Sequence, residues 1–433
     1  MTPELEKRIK AVRAGKVPAG YKKTRLGLAP KSWEEHKLSH YLRVSKEKNK
    51  ELKYSKEDVF SISGDRGIVN QIELLGRSYA GESVAPYGIV RPGDVVYTKS
   101  PLKANPYGII KTNKTGKAGI VSTLYAIFNC QEDVDPDFVQ YYFESDKILN
   151  DYLHPLVNIG AKHDMKISDE NALNGLVTFP PLSEQKKIAE ILSAQDRLIG
   201  LKEKLIAEKQ ERKKYLTCIF FGNHGPNTFK IGGATIDKGK WRIRKIGSVL
   251  NKVSIPVDVE PKRLYTQIGI YSHGRGLFYK EPVAGKALGR KAVFWVEPGC
   301  LVLNIVFAWE QAVAKTTKKE EGLIASHRFP MFKPIDDLID VDYAVRYFLT
   351  LKGTAILDAA SPGGAGRNRT LGQDRFLESK LLLPSLPEQK AIAKVLSTAD
   401  EEILLLQRDL EQEKLKKKAL MQLLLTGLAR VNA

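Results

Sequence analysis

The chain has 433 residues, 42% of them hydrophobic and 27% charged, with no long low-complexity tract, which excludes a disordered tail or a fibrous repeat. Domains typically hold about 100–200 residues, so two globular units are expected. A net charge of +19 suits a polyanionic partner, and the three scattered cysteines, Cys130, Cys218 and Cys300, have neither metal-type spacing nor the look of a secreted disulfide framework. The most apolar run, CLVLNIVFAW from Cys300, is shorter than the roughly 20 residues of a membrane helix, and the opening MTPELEKRIK has no signal-peptide core. The expected compartment is the cytoplasm.

Residues 1–20 are expected to form a helix that completes the bundle of long helices described next. Within it RIKAVRAG (Arg8–Gly15) lines up with YLTCIFFG (Tyr215–Gly222), which would set Ile9 and Val12 where Leu216 and Ile219 stand and bring the two ends of the chain together. From 21 to 182, short β-branched and aromatic runs bounded by turns predict strands, for example SVAPYGIV before Arg91-Pro92-Gly93-Asp94, and a helical patch covers 136–149. A long helix is expected over 183–222. A second mixed segment, 228–386, carries strands such as KAVFWV before Glu297-Pro298-Gly299 and a helical patch over 341–359. A second long helix over 387–427 closes the series.

The two long helices begin alike: PPLSEQKKIAEILSAQDRLI from Pro180 returns as PSLPEQKAIAKVLSTADEEI from Pro384. The repeat runs further, because GYKKTRLGLAPKSW from Gly20 resembles TFKIGGATIDKGKW from Thr228, VRPGDVVY resembles VEPGCLVL, and GAKHDMK at Gly160 resembles GAGRNRT at Gly364. The chain is therefore two copies of one unit, each a globular segment followed by a helix. In the first helix Ile188, Leu192, Gln195, Ile199, Lys202, Ile206, Lys209, Lys213, Leu216 and Phe220 fall on one seam with steps of three and four. In the second, Ile392, Leu396, Ala399, Ile403, Leu406, Leu410, Leu420 and Leu424 keep the same register. A 3.5-residue average is the pattern of a coiled coil, so the helices are expected to pack on each other. The polar seam residues Lys202, Lys209 and Glu413 would weaken that packing while fixing its register. The fold class that follows is α/β: two similar mixed domains joined by two long antiparallel helices with approximate twofold symmetry.

Catalytic signatures are absent from the sequence. NPYG at Asn105 lacks the second proline of the amino-methyltransferase motif, and Lys240 and Lys286 follow glycines outside any phosphate-binding loop pattern. His36 and His40 have metal-ligand spacing, but Lys37 rather than a glutamate follows His36, and the counterpart after Trp241 has no histidine. No catalytic residue and no metal site is assigned.

The doubled helix starts PPLSEQKKIAEIL and PSLPEQKAIAKVL, the endings YLTCIFFG and LMQLLLTG, and the segments GYKKTRLGLAPKSW and GAGRNRT are similar to those of the specificity (S) subunits of type I restriction–modification systems. The resemblance spans essentially the whole chain. It implies two target recognition domains and two conserved spacer helices around which methyltransferase subunits, two of them, would dock, with restriction and translocase subunits as further partners. It also implies that the chain has no catalysis of its own, and that S-adenosylmethionine is bound by the methyltransferase partner. The DNA target would be split and non-palindromic. A rod of about 38 residues spans roughly 57 Å, which limits the half-sites to about 17 base pairs apart.

Contact candidates are basic residues mixed with glycine, asparagine and aromatics. In the first segment these are Lys99, Lys103, Asn105, Tyr107, Lys111, Asn113, Lys114, Lys117, Lys162, His163 and Lys166. In the second they are Tyr271, His273, Arg275, Arg290, Lys291, Arg367, Asn368 and Arg369. Two other classes share the charge: a sequence-indifferent architectural DNA binder, and a DNA-modifying enzyme component. Scrambling the target separates the first, and methylation by the isolated chain would reveal the second.

Overall fold

A computed structural model describes residues 2–159, 165–222, 225–289, 292–363 and 369–431. The chain forms two compact units, Met1–Glu203 with Asp409–Ala433, and Lys204–Arg408. The division does not fall between globular segment and helix. Each long helix, Leu182–Phe221 and Leu386–Leu425, gives one part to the first unit and the other part to the second.

In the first unit a four-stranded antiparallel sheet runs Leu42–Val44, Tyr125–Cys130, Val95–Thr98, Ile109–Thr112. In the second the order is Leu250–Val253, Met331–Pro334, Leu301–Leu303, Val313–Lys315. By position in the chain both read first, fourth, second, third, so the repeat seen in scattered motifs is a repeat of topology. The smaller pairings repeat too: Glu34–Lys37 with Leu176–Phe179 answers Arg242–Lys245 with Lys380–Leu383. The strands of the two central sheets are nearly continuous buried runs such as Val95-Val96-Tyr97 and Leu301-Val302-Leu303, covered on one face by helices.

Each helical patch expected between the strands is in fact a pair of helices. The first breaks at Ser145 into Pro136–Glu144 and Asp146–Leu153, because Ser145 adopts an extended conformation. The second breaks into Val341–Phe348 and Leu351–Ala359, where the Thr350 hydroxyl caps the new helix by accepting from Gly353 N–H. A side chain at Gly353 would meet the Tyr347 carbonyl oxygen at 2.1 Å, so the corner needs glycine.

The helix seams follow the expected register. Ile188, Leu192, Ile206, Phe220, Ile392, Leu396, Leu410 and Leu424 are buried, Ile199, Leu216, Ala399, Ile403, Leu406 and Leu420 are half-buried, and flanking Leu201, Leu405 and Leu415 are exposed. The ends of each seam enter the globular cores: Ile188, Leu192 and Leu424 in the first unit, Phe220, Ile392 and Leu396 in the second. Towards the middle, polar pairs take over. In the first unit Gln195 donates to Glu413 Oε2 at 2.7 Å and Lys202 pairs with Asp409. In the second Lys209 pairs with Glu402 and Lys213 with Asp400. In each unit the numbers rise on one helix as they fall on the other, so the paired segments are antiparallel.

The amino-terminal helix, Pro3–Arg13, differs from its expected role. None of its residues is buried, and Ile9 and Val12 lie outside the core in which Leu216 and Ile219 have their counterparts. The second long helix carries its own last turns, and Leu420, Met421, Leu424 and Leu425 fill that place in the first unit. Arg8 nevertheless ties the two ends of the chain together, donating to the Leu428 carbonyl at 2.9 Å.

Candidate nucleic-acid interface

The start of each long helix is a joint made of buried polar side chains. Gln185 donates to the carbonyls of Pro180 and Asp133, at 2.9 and 3.2 Å, and accepts from Asp135 N–H at 3.0 Å. Gln389 repeats the set with Pro384 at 2.9 Å, Leu338 at 3.1 Å and Asp340 N–H at 2.8 Å. Both amides are buried, so each fixes the angle between a long helix and the loop that leads into the helix beginning at 136 or 341. The neighbouring glutamates hold the two tryptophans: Trp33 donates to Glu184 at 3.1 Å and Trp241 to Glu388 at 3.3 Å. Here the copies part. Glu184 is gripped by Arg430 at 2.8 and 2.9 Å, whereas Glu388 accepts from Ser385 and Asp237 N–H at 2.9 and 2.8 Å. Burial pushes the Glu388 carboxyl up, but these hydrogen bonds outweigh it and hold its pKa below the ordinary value.

Beyond the joint lies a cavity of about 810 Å³ in the first unit, lined by Arg66, Asn105, Lys111, Lys114, Glu144 and Lys417 among others. Lys417 bonds to Glu144 at 2.6 Å and Asp196 at 2.8 Å. Burial opposes its charge, yet the two carboxylates keep its pKa above the usual lysine value. Lys111 is buried without an ion pair among the described residues, and burial draws its pKa down, against the pull of Glu144. In the second unit a groove of about 820 Å³ is lined by Lys213, Cys218, Phe221, Leu349 and Leu351 among others, a more apolar surface.

The contact candidates divide by what surrounds them. In the first unit Lys103, Lys114 and Lys117 are exposed, with Lys114 also bonded to Asp137 at 3.1 Å and lying 4.8 Å from the Tyr141 ring. Lys99 is bonded to Asp169 at 2.8 Å, and Tyr107 is half-buried, its ring edge-on to His154. Asn105, Lys111 and Asn113, expected in open loops, are buried instead. Asn113 builds its own turn, donating to the Lys117 carbonyl and accepting from Thr115, and Asn105 donates to Asp146 at 2.8 Å. A basic, glycine-bearing loop advertises exposure in sequence, but here Asn113 satisfies the backbone that turns and Asn105 is held by a carboxylate. Lys162 and His163 lie outside the described residues, as does the side chain of Lys166.

In the second unit Tyr271, His273 and Arg275 are exposed on one turn, with His273 in a left-handed conformation and Arg275 lying 5.1 Å from the Tyr271 ring. Arg369 is bonded to Asp358 at 2.7 Å and lies 5.3 Å from the Trp309 ring. Arg290, Lys291, Arg367 and Asn368 lie outside the described residues. One exposed arginine of the first unit, Arg66, stands outside the basic loops named from the sequence. The signal for it lay in the self-comparison, because SGDRG at Ser63 answers SHGRG at Ser272.

Among the described residues no group of three or more His, Cys, Asp and Glu side chains could hold a metal, and no helix is long and apolar enough to cross a membrane. His36 and His40 stack on each other at 4.3 Å and bond to Glu34 and Asp133.

Comparison with known proteins bears on this architecture in three ways. The family model described as "Type I restriction modification DNA specificity domain" matches residues 303–415, which include the Gln389 joint. Two relatives come from Methanocaldococcus jannaschii. The "Putative type I restriction enzyme MjaX specificity subunit" is 24% identical, over 95% of this chain and 97% of the relative, and the type I restriction enzyme MjaVIII specificity subunit is 26% identical, over 73% and 76%. Among solved structures, the type I restriction-modification system S subunit from M. genitalium shares the fold, with a TM-score of 0.52 at 13% identity over 93% of this chain and 99% of that one.

Proposed function

The chain belongs to the specificity subunits of type I restriction–modification systems, and from that premise we propose that each of its two globular segments reads one half of a split, non-palindromic DNA target. The observation that carries this reading is a topology copied whole while its exposed side chains differ: the same sheet order twice, with unlike residues at the corresponding corners. Two similar frames bearing different surfaces present unequal half-sites. The basic surface supplies affinity through phosphate contacts, and base edges supply the choice of sequence.

The long helices set the gap between the half-sites and offer their exposed faces to methyltransferase subunits. Leu201, Leu405 and Leu415 support that role, since they are apolar and uncovered on the side away from the seam. Chemistry belongs to the partners in this proposal. Methylation of adenine, with its S-adenosylmethionine, is assigned to the methyltransferase, and cleavage to restriction subunits.

The test is to express the full chain with its methyltransferase subunits and map methylated adenines across the host genome. Two short fixed sequences separated by a gap of constant length and free composition are expected. Methylation without any sequence preference would instead favour an architectural DNA binder, for which scrambled targets bind as well as intact ones. For a reader, each wrong base pair weakens binding by about 1–3 kcal/mol.

A further inference from the structure

Each unit carries one β-hairpin that ends in the same way. In the first, Phe60–Ser63 pairs with Gly67–Asn70 and the tip is Gly64-Asp65-Arg66. In the second, Ile268–Ile270 pairs with Leu277–Tyr279, the Tyr271 N–H donates to the Gly276 carbonyl at 3.0 Å, and the tip is Ser272 to Arg275. The hairpins are equivalent in position as well as in sequence. The residue just before each makes a parallel bridge to the same strand of its unit, Val59 to Ile120 and Gln267 to Ile324. In both, the arginine immediately precedes a left-handed glycine at the start of the return, Gly67 at φ +69°, the first residue of its strand, or Gly276 at φ +83°, the residue just before its strand. Arg66 and Arg275 therefore occupy one corner of one hairpin, made twice.

Their surroundings set them apart from several of the basic candidates. Lys99, Lys114, Lys417 and Arg369 are each bonded to a carboxylate. Among the described residues neither Arg66 nor Arg275 has an acidic partner, and both are exposed. The tips are also held. Arg66 N–H donates to Ser63 Oγ at 3.2 Å. In the second unit His273 and Gly274 N–H donate to the Glu310 and Gln311 carbonyls, at 2.8 and 3.0 Å, and Arg275 Nε donates to the Ser272 carbonyl at 3.1 Å with its guanidinium beside the Tyr271 ring. Among the described residues this leaves the two terminal nitrogens of Arg275 without a hydrogen-bond partner. An unneutralised guanidinium on a braced tip loses little freedom when it binds.

The major groove of DNA admits a two-stranded ribbon, and the guanidinium fork matches O6 and N7 of guanine. We infer that each unit inserts this hairpin tip into the major groove, and that Arg66 and Arg275 each read one guanine, in different halves of the target. The inference rests on the proposed split-target reading and deepens it by naming one base and one side chain per half.

Arg66→Lys and Arg275→Lys test it, because both keep the charge on an exposed site and remove only the fork. Each variant, as the full chain with its methyltransferase subunits, is compared with wild type by genome-wide mapping of methylated adenines. Each should keep the split target and its gap but lose discrimination roughly 5- to 100-fold at one guanine, with the two variants affecting opposite halves. Salt dependence of DNA binding should be unchanged, since no charge is lost. Unchanged stringency at every position in either variant overturns the inference while leaving the split-target reading in place. So does a half-site without a G·C pair, or a variant that weakens all sequences alike, the mark of a phosphate contact. A wild-type pattern without two halves overturns both.

Discussion

At the helix starts the two halves of the molecule make the same bonds with the same residue types, Gln185 and Gln389 each tying a long helix to the loop ahead of a shorter one. At the corner where that shorter helix ends, they differ. Glu144, Asp146 and Lys147 stand in the first unit beside Gln422 and Leu425, lining a groove of about 620 Å³. Leu349, Leu351 and Lys352 stand in the second beside Cys218 and Phe221. The contrast separates two kinds of conserved-looking feature. A buried polar joint tolerates no change, because an unmatched amide would keep its desolvation cost without its bonds. An exposed corner on the same frame carries no such cost and is free to vary.

The largest expected effect tests whether the joints are truly equivalent. Gln185→Ala and Gln389→Ala each strand two carbonyls and one N–H, and each should lower stability by about 2–3 kcal/mol in denaturant unfolding. Matching losses sharpen the comparison, and a loss confined to one unit breaks it.

Acid tests the bonding of the second unit at Glu388. Glu388 has a folded pKa below its ordinary value of 4.5, so its contribution to stability is present above that value and fades as pH falls through the lower folded value. Glu388→Gln should therefore flatten the acid limb of stability against pH below about 4.5. A limb as steep in the variant as in wild type would contradict the bonding described around Glu388.

The smallest effect lies in the middle of the helices. Removing Lys202–Asp409 or Lys209–Glu402 as a pair should change stability by only about 0.2–1 kcal/mol and by less in high salt, since all four side chains reach solvent. A double-mutant cycle in each unit measures it.

Much of this frame was legible in the sequence because it is repetitive and periodic. Seam positions from Ile188 to Phe220 and from Ile392 to Leu424 follow from steps of three and four alone, and the doubled Glu-Gln marks the helix starts although it does not reveal the bonds made there. Other features were not legible, for physical reasons. Ser145 and Thr350 break helices through backbone geometry and capping, which a hydrophobic pattern does not register. Asn105 and Asn113 sit in polar loops that fold back on themselves, and Lys111 lies in the strand Ile109–Thr112, so composition suggests exposure where there is burial. The amino-terminal match to YLTCIFFG was real in letters, but the second long helix supplies the same turns with more apolar surface, Leu424 and Leu425, and takes the place in the core.

The central claim, that one globular segment reads one half of the target, is tested most directly by exchange. Residues 228–384 are replaced with the matching segment of a specificity subunit that has a different target, and methylated adenines are mapped with the full chain and its methyltransferase subunits. The account predicts a hybrid motif in which one half is new while the other half is retained. A motif changed in both halves, or in neither, would contradict it.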